Sequence, residues 1–165
     1  MKRCALSLLL ACLSLAALLA VGCGTDLRQQ ARGTNSLTGV IEAELWSDHK
    51  YLELGKPIRV RVTLKNVSRE IQMLGGKGEN ENKPVVDILM QSSMTEGRWW
   101  SQEHPNDVKY LITLKPGEAY VVEWIVTPTL KATYNVNAWW ADSEGDRSGM
   151  GVTIFYGIRP PGPMP

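Results

Sequence analysis

The stretch Ile58-Arg59-Val60-Arg61-Val62-Thr63-Leu64-Lys65 alternates between apolar and polar side chains without a break. Successive side chains of a β-strand point to opposite faces, so this order gathers the apolar residues on one side. A helix would scatter the same residues around its circumference. We therefore predict a half-buried strand here, which Asn66 to Ser68 end as a turn.

Comparable segments lie on both sides of this strand, and turn-forming Gly, Pro, Asn and Asp separate them. The pattern predicts further strands at 40–46, 70–74, 84–91, 97–101, 108–114, 119–126, 132–141 and 149–158. No amphipathic helical pattern interrupts the series. Many short strands at this spacing predict an all-β sandwich or barrel.

The residues around Tyr134 help to choose between a sandwich and a barrel. Leu130-Lys131-Ala132-Thr133-Tyr134-Asn135-Val136 has the form of a tyrosine corner, in which a Tyr hydroxyl bonds back to nearby backbone two residues before the usual Cys. Val136 stands in the Cys position, which fits a domain without a disulfide. The segment predicts an immunoglobulin-like β-sandwich, and a plain strand Tyr is the alternative.

The N-terminus reads as an export signal. Lys2 and Arg3 precede an apolar run that ends in Ala20-Val21-Gly22-Cys23, which resembles a bacterial lipobox except that Ala20 replaces the usual Leu. We expect cleavage before Cys23 and lipid attachment to it. A retained membrane helix and simple secretion are the alternatives.

This interpretation divides the chain into four parts. Residues 1–22 are expected to be a signal peptide, 23–38 the lipidated Cys and a flexible linker, 39–158 the sandwich and 159–165 a Pro-rich tail. A short helix over 27–31 is the alternative for the linker. The expected location is the cell membrane or outer membrane, facing away from the cytoplasm.

Charge and cysteine content exclude several classes of protein. The formal net charge is +1, which offers no basic excess for binding nucleic acid. Of the three cysteines, Cys4 and Cys12 would leave with the signal and Cys23 would carry lipid. We therefore expect no disulfide and no Cys-ligated metal.

Several segments together resemble the bacterial intracellular proteinase inhibitor (BsuPI-like) family. In order, they are Val62-Thr63-Leu64-Lys65-Asn66-Val67-Ser68, Val86-Asp87-Ile88, Trp99-Trp100-Ser101, Leu114-Lys115-Pro116-Gly117-Glu118 and Trp124. The resemblance covers about half of the chain and implies an immunoglobulin-like sandwich. It implies protease inhibition less directly. The sequence departs from the family pattern in residues 75–83 and 102–107.

The search for catalytic chemistry finds no recognisable motif. His49 and His104 lie in polar turns, without the spacing of a zinc site or the context of a serine nucleophile. Residues 142–146 place three carboxylates around a Gly, but the rest of a calcium loop is missing. We expect no enzyme activity, no metal and no cofactor.

Tryptophan is the more informative residue, because the chain has six Trp and one Phe. Trp99-Trp100 and Trp139-Trp140 lie in predicted strands, so one member of each pair should face outward. The alternation from Tyr134 predicts Trp140 inside and Trp139 outside, and it leaves the first pair open. Trp99, Trp100 and Trp139 are therefore candidate contacts for a sugar ring or protein partner. A covering loop or linker is the alternative.

The sequence thus predicts a lipid-anchored binding module of the cell envelope without catalysis. The membrane would be one partner, through Cys23, and a protein the other. A proteinase inhibitor that uses residues 75–83 or 102–107 as its reactive loop is the first alternative. An enzyme or metal protein built around His49 or His104 is the second.

Overall fold

The computed structural model describes residues 29–34, 39–141 and 145–157 of the 165-residue chain, with side chains from residue 39 onward. This part holds a short helix, α1 (Trp100–Glu103), and a 3₁₀ turn at Gly78–Asn80. Its strands are β1 (Gln29–Thr34), β2 (Ile41–Ser47), β3 (Tyr51–Leu52), β4 (Ile58–Asn66), β5 (Gln72–Gly75), β6 (Val86–Ser92), β7 (Thr95–Trp99), β8 (Leu111–Leu114), β9 (Ala119–Val126), β10 (Tyr134–Ala141) and β11 (Arg147–Tyr156).

Two sheets form an immunoglobulin-like sandwich, which confirms the predicted fold class. The first sheet has the order β1-β2-β4-β9, and the second has the order β3-β11-β10-β6-β7. β5 and β8 form a separate two-stranded sheet. The short strand β3 pairs in parallel with β11, so consecutive strands β2 and β3 belong to different sheets.

The core lies between the two sheets and follows the period-two pattern. β4 alternates between buried and more exposed residues along its whole length, as its sequence predicts. β9 and β10 add buried aromatic residues, among them Trp124, Tyr134 and Trp140. The inward position predicted for Trp140 is confirmed, because only 3% of its surface is exposed.

A fully buried Asn66 connects two turns of the first sheet. Its side-chain amide donates to the carbonyls of Glu70 and Leu114, and its side-chain oxygen accepts from Ser68. Its backbone carbonyl accepts from the amide of Gly117, which has φ 79°. The Asn-then-Ser turn and the Leu-x-Pro-Gly-Glu turn therefore form one structural unit, since a buried amide needs all of these partners.

The tyrosine corner is present in a loose form. The Tyr134 hydroxyl donates to the Leu130 carbonyl over 3.5 Å, which is long for such a bond. Val136, in the position of the usual Cys, is fully buried. Apolar packing thus takes the place that a disulfide occupies in related sandwiches.

The prediction of a flexible linker at 23–38 is wrong for residues 29–34. Gln29–Thr34 forms β1 and pairs antiparallel with β2, from Gln29 opposite Ser47 to Thr34 opposite Glu42. Without β1, β2 would present a free row of backbone donors and acceptors at the sheet edge. Main-chain pairing does not need apolar side chains, which explains why a polar segment with no clear period can fill this position.

The strand predicted at 97–101 is also partly wrong. β7 begins earlier, at Thr95, and ends at Trp99, after which the chain turns into α1. The two-residue strand β3 has no counterpart among the predicted elements. Helices and strands this short leave too few residues to show a period.

Several predictions lie outside the described residues. These are the signal peptide at 1–22, Cys23, the Pro-rich tail at 159–165 and most of the turn at 142–146. Within the described ranges, no helix has the length and apolar character needed to cross a membrane.

Candidate functional site

A cleft of about 500 Å³ opens on the outer face of the second sheet, near the ends of β6, β10 and β11. Its walls combine aromatic, charged and amide side chains. The lining residues are Lys83, Pro84, Asp87, Trp99, Ser101, Gln102, Trp139 and Arg147. The volume falls within the range of small-molecule binding sites, roughly 300–1,000 Å³.

Asp87 is the buried charged group of this cleft, with 6% of its surface exposed. It lies opposite Trp139 in the pairing of β6 with β10, so both side chains occupy the outer face of the sheet. One carboxylate oxygen accepts from the amides of Ile88 and Ser101, and the other accepts from the Ser101 hydroxyl over 2.7 Å. These bonds offset the cost of burying the charge.

The two outward tryptophans form one aromatic surface. The rings of Trp99 and Trp139 have centroids 5.4 Å apart and planes inclined by 33°. Gly149 lies opposite Trp139 on β11, and a Cβ there would be 2.9 Å from an atom of the indole. A glycine at this position therefore allows the indole to lie close to the backbone, with the Trp99 ring on the side of the other neighbouring strand, β6.

The helix α1 brings Ser101 and Gln102 to the cleft. Glu103 on this helix accepts two bonds from Arg98, over 2.7 and 3.0 Å, and a third from the Trp124 indole over 3.1 Å. Trp124 belongs to the first sheet, so this cluster ties the helix to both sheets. Burial raises the pKa of Glu103, but the bonds from Arg98 and Trp124 and the charge of Arg98 outweigh it, and the pKa is lowered.

Arg147 supplies a cation to the far side of the cleft. Its guanidinium donates to the Pro84 carbonyl over 2.9 Å, which fixes the start of β6 to β11. Burial lowers the pKa of Arg147, and the nearby Asp87 carboxylate acts in the opposite direction. The exposed Lys83 adds a second positive charge to the lining.

Both segments that the sequence nominates as reactive loops border this cleft. Residues 75–83 end at Lys83, and residues 102–107 begin with Gln102. The first loop contains the Gly78–Asn80 turn, and the Asn80 side chain donates to the Gly145 carbonyl over 3.3 Å. The loop is thereby attached to the turn between β10 and β11.

The structure brings together two of the three predicted binding residues. Trp99 and Trp139 line the cleft, and Trp139 faces outward as predicted. The prediction that Trp100 is a binding residue needs correction, because Trp100 does not line the cleft. It is the first residue of α1, is 4% exposed and stacks its ring on His104. The chain turns into a helix immediately after Trp99, so the strand alternation does not extend to Trp100.

Asp87 and Arg147 were missed by the sequence reasoning. Asp87 interrupts the apolar run Val85-Val86-Asp87-Ile88-Leu89-Met90, every residue of which is buried. A carboxylate inside such a run is a recognisable sign of a buried polar site. Arg147 gave no comparable sign, because its position beside Pro84 depends on the pairing of distant strands.

The histidines do not contribute to this site. His49 contacts Asp48 in an exposed turn, with 2.8 Å between the ring Nδ1 and the carboxylate, and His104 stacks on Trp100. Neither lines the cleft. No cluster of three or more His, Cys, Asp or Glu suited to a metal ion occurs among the described residues.

A scan of protein-family models and a search of curated proteins found no match to this chain. Among solved structures, it is similar to the sporulation control protein Spo0M of Bacillus subtilis, with a TM-score of 0.42 and 12% identity over 72% of this chain and 49% of that one. The chain is also similar to the CARDB domain of the PF1109 protein from Pyrococcus furiosus, in complex with di-metal ions. The TM-score is 0.40, with 13% identity over 79% of this chain and 94% of that one.

A β-glucosidase from Listeria innocua in complex with gluconolactone gives a TM-score of 0.35 and 15% identity over 78% of this chain and 16% of that one. The chain thus spans about half of the Spo0M chain and a small fraction of the glucosidase. These likenesses concern the β-sandwich architecture alone.

Proposed function

We propose that this protein is a non-catalytic binding module of the bacterial envelope, held at a membrane by lipid on Cys23. The observation that carries the proposal is the cleft on the outer face of the second sheet, where Trp99 and Trp139 meet a buried Asp87. Rigid aromatic area beside a few fixed polar groups is the usual composition of a recognition site. The bound partner is a protein or a smaller ligand.

A test of the binding surface compares two outward tryptophans. Trp139 is in the cleft, and Trp46 is a half-buried residue on the outer face of the first sheet. Trp139→Ala should abolish capture of the specific partner from envelope extracts, whereas Trp46→Ala should leave it unchanged. Equal capture by both variants would remove the cleft from the proposal.

The anchor has its own test. Cys23→Ser removes the thiol that would carry lipid, so the variant should leave the membrane fraction, provided that it is exported and folded. Far-UV circular dichroism of the purified variant checks its fold. Membrane association equal to that of the unaltered chain would contradict lipid anchoring.

Proteinase inhibition of the BsuPI-like type is the second candidate function. Its support is that residues 75–83 and 102–107, where the sequence departs from the family pattern, both border the cleft. Inhibition of a subtilisin-type protease that is lost when residues 77–82 are replaced by a short Gly-Ser turn would favour it. An unchanged protease rate at a large excess of the protein would exclude it for that class.

A further inference from the structure

The cleft has features that identify a class of ligand, and this inference rests on the proposed binding function. We infer that the cleft binds an acidic sugar, a pyranose unit that carries a carboxylate, within a glycan. The structure supplies a fixed aromatic surface for the ring, two cations for the acid and hydrogen-bonding groups for the hydroxyls.

The aromatic surface suits a saturated ring with a flat C–H face. Trp139 lies close to Gly149, where even a Cβ would approach the indole to 2.9 Å, and against Trp99 at 5.4 Å. Leu89 is buried on the same face of β6 and lies opposite Trp99 in the pairing of β6 with β7. The indoles are therefore held in position before a ligand arrives, which reduces the entropy that binding costs.

The charges of the cleft favour an anion. Asp87 already accepts three hydrogen bonds, from Ile88 and Ser101, and it faces Arg147. The two cations Lys83 and Arg147 outnumber this one carboxylate, so the lining carries one net positive charge. A guanidinium pairs well with a carboxylate through two parallel N–H donors, and a lysine beside it adds a point charge.

The remaining lining groups match the hydroxyls of a sugar. The exposed Gln102 offers an amide donor and an acceptor, and the second carboxylate oxygen of Asp87, which accepts one bond from Ser101, has capacity for another. The acidic side chains of a peptide would satisfy the cations, but they have no flat C–H face to lie against the indoles. The combination of ring face, acid and hydroxyl contacts therefore favours an acidic glycan.

The test uses the full chain in detergent and isothermal titration with acidic trisaccharides: α-1,4-galacturonate, β-1,4-glucuronate and β-1,4-mannuronate. Each has a matched control, its methyl ester, which keeps the ring and removes the charge. We expect at least one acid to bind and its ester to bind about tenfold more weakly. Lys83→Gln, at an exposed position, should weaken the acid severalfold and leave the ester unchanged.

Trp139→Ala should abolish binding of acid and ester alike, while Trp46→Ala should bind as the unaltered chain does. Failure of all three acids to bind overturns the inference, and so does an ester that binds as tightly as its acid. If no trisaccharide binds but Trp139→Ala still loses a protein partner, this inference fails and the proposed binding function stands. If Trp139→Ala changes neither trisaccharide binding nor capture of a protein partner, both this inference and the proposed binding function fail.

Discussion

The outer faces of the two sheets carry their charges differently, although the inner faces follow the same alternation. On the first sheet, Arg59 and Arg61 of β4 reach Glu123 of β9 over 3.4 and 2.7 Å, and all three side chains are more than a third exposed. On the second sheet, Asp87 and Leu89 of β6 are buried on the outer face, opposite Trp139 and Trp99 in the strand pairing.

A sandwich needs apolar residues only between its sheets, since an antiparallel sheet is stable with its other face in water. The first sheet does little more than this minimum, because its outer face carries charged side chains and Thr63, with Trp46, Val121 and Ile125 among them. The second sheet goes beyond it, because β6 is covered on both faces and carries a charge in the covered layer. The difference teaches that the fold is specified by the inner alternation, whereas the cleft is an addition to it.

The sharpest test of this contrast removes the buried carboxylate. Asp87→Ala leaves the amides of Ile88 and Ser101 and the Ser101 hydroxyl without their acceptor. A buried donor without a partner costs about 1–3 kcal/mol, but Ser101 is only half-buried and water can reach its two donors. We therefore expect a loss of about 2–4 kcal/mol in the free energy of unfolding. Urea denaturation followed by Trp fluorescence measures it.

Asp87→Asn serves as the control, because it keeps an acceptor oxygen and nearly the same shape. It should lose less than the Ala variant. If Asp87→Ala unfolds within about 0.5 kcal/mol of the unaltered chain, the carboxylate is not an internal anchor of the second sheet. The outer faces would then differ only in composition and not in energetics.

The next test enlarges the glycine beneath the aromatic surface. In Gly149→Ala the new Cβ would lie 2.9 Å from the Trp139 indole and 3.1 Å from the Ala138 carbonyl. The indole must shift, which we expect to cost about 1–2 kcal/mol and to change the Trp emission spectrum. In a Trp139→Ala background the same substitution should cost clearly less, since one of its two close contacts is gone. Equal costs in both backgrounds would show that the indole does not depend on Gly149.

The period-two pattern was sufficient to predict three of the four strands of the first sheet and most of the second sheet. β9 was predicted with its observed ends, and β4 and β10 with nearly theirs. Each has a long apolar row facing one core. β1 and β3 escaped prediction, because β1 is held by main-chain pairing at an edge and β3 has only two residues.

Only part of the candidate site could be predicted, because the period-two pattern describes one strand at a time. Alternation from Tyr134 placed Trp139 on the outer face, because it acts within one strand. The contacts of Asp87 with Ser101 and of Arg147 with Pro84 join residues 14 and 63 positions apart. Such contacts follow from sheet order and from the turn into α1, neither of which a local period encodes.

The third test concerns the cluster that ties α1 to the first sheet. Its hydrogen bonds and the charge of Arg98 keep the pKa of Glu103 below its usual range, so the group stabilises the folded state near neutral pH. This contribution is lost as the pH falls through the lowered pKa and the carboxylate is protonated in both states. Since the Glu103 side chain is 33% exposed, solvent screening limits the effect to about 1 kcal/mol.

Glu103→Gln should therefore be less stable than the unaltered chain at pH 7, and the two should converge as the pH falls below about 5. Thermal unfolding across this pH range measures the convergence. Glu96→Gln is a suitable control, because Glu96 is an exposed residue of the adjacent strand β7. A constant difference between Glu103→Gln and the unaltered chain at every pH would show that the amide change acts through packing and not through charge.

The smallest effect is expected where the first sheet faces water. Glu123→Ala removes the partner of Arg59 and Arg61, but both arginines remain solvated and Arg61 keeps its position 5.4 Å from the Trp46 ring centre. Exposed ion pairs contribute between 0 and about 1 kcal/mol, so the loss should lie in that range and shrink in 1 M salt. A loss as large as that of Asp87→Ala, and insensitive to salt, would mean that charge stabilises both outer faces alike. The cleft would then no longer be set apart from the rest of the surface by its buried carboxylate.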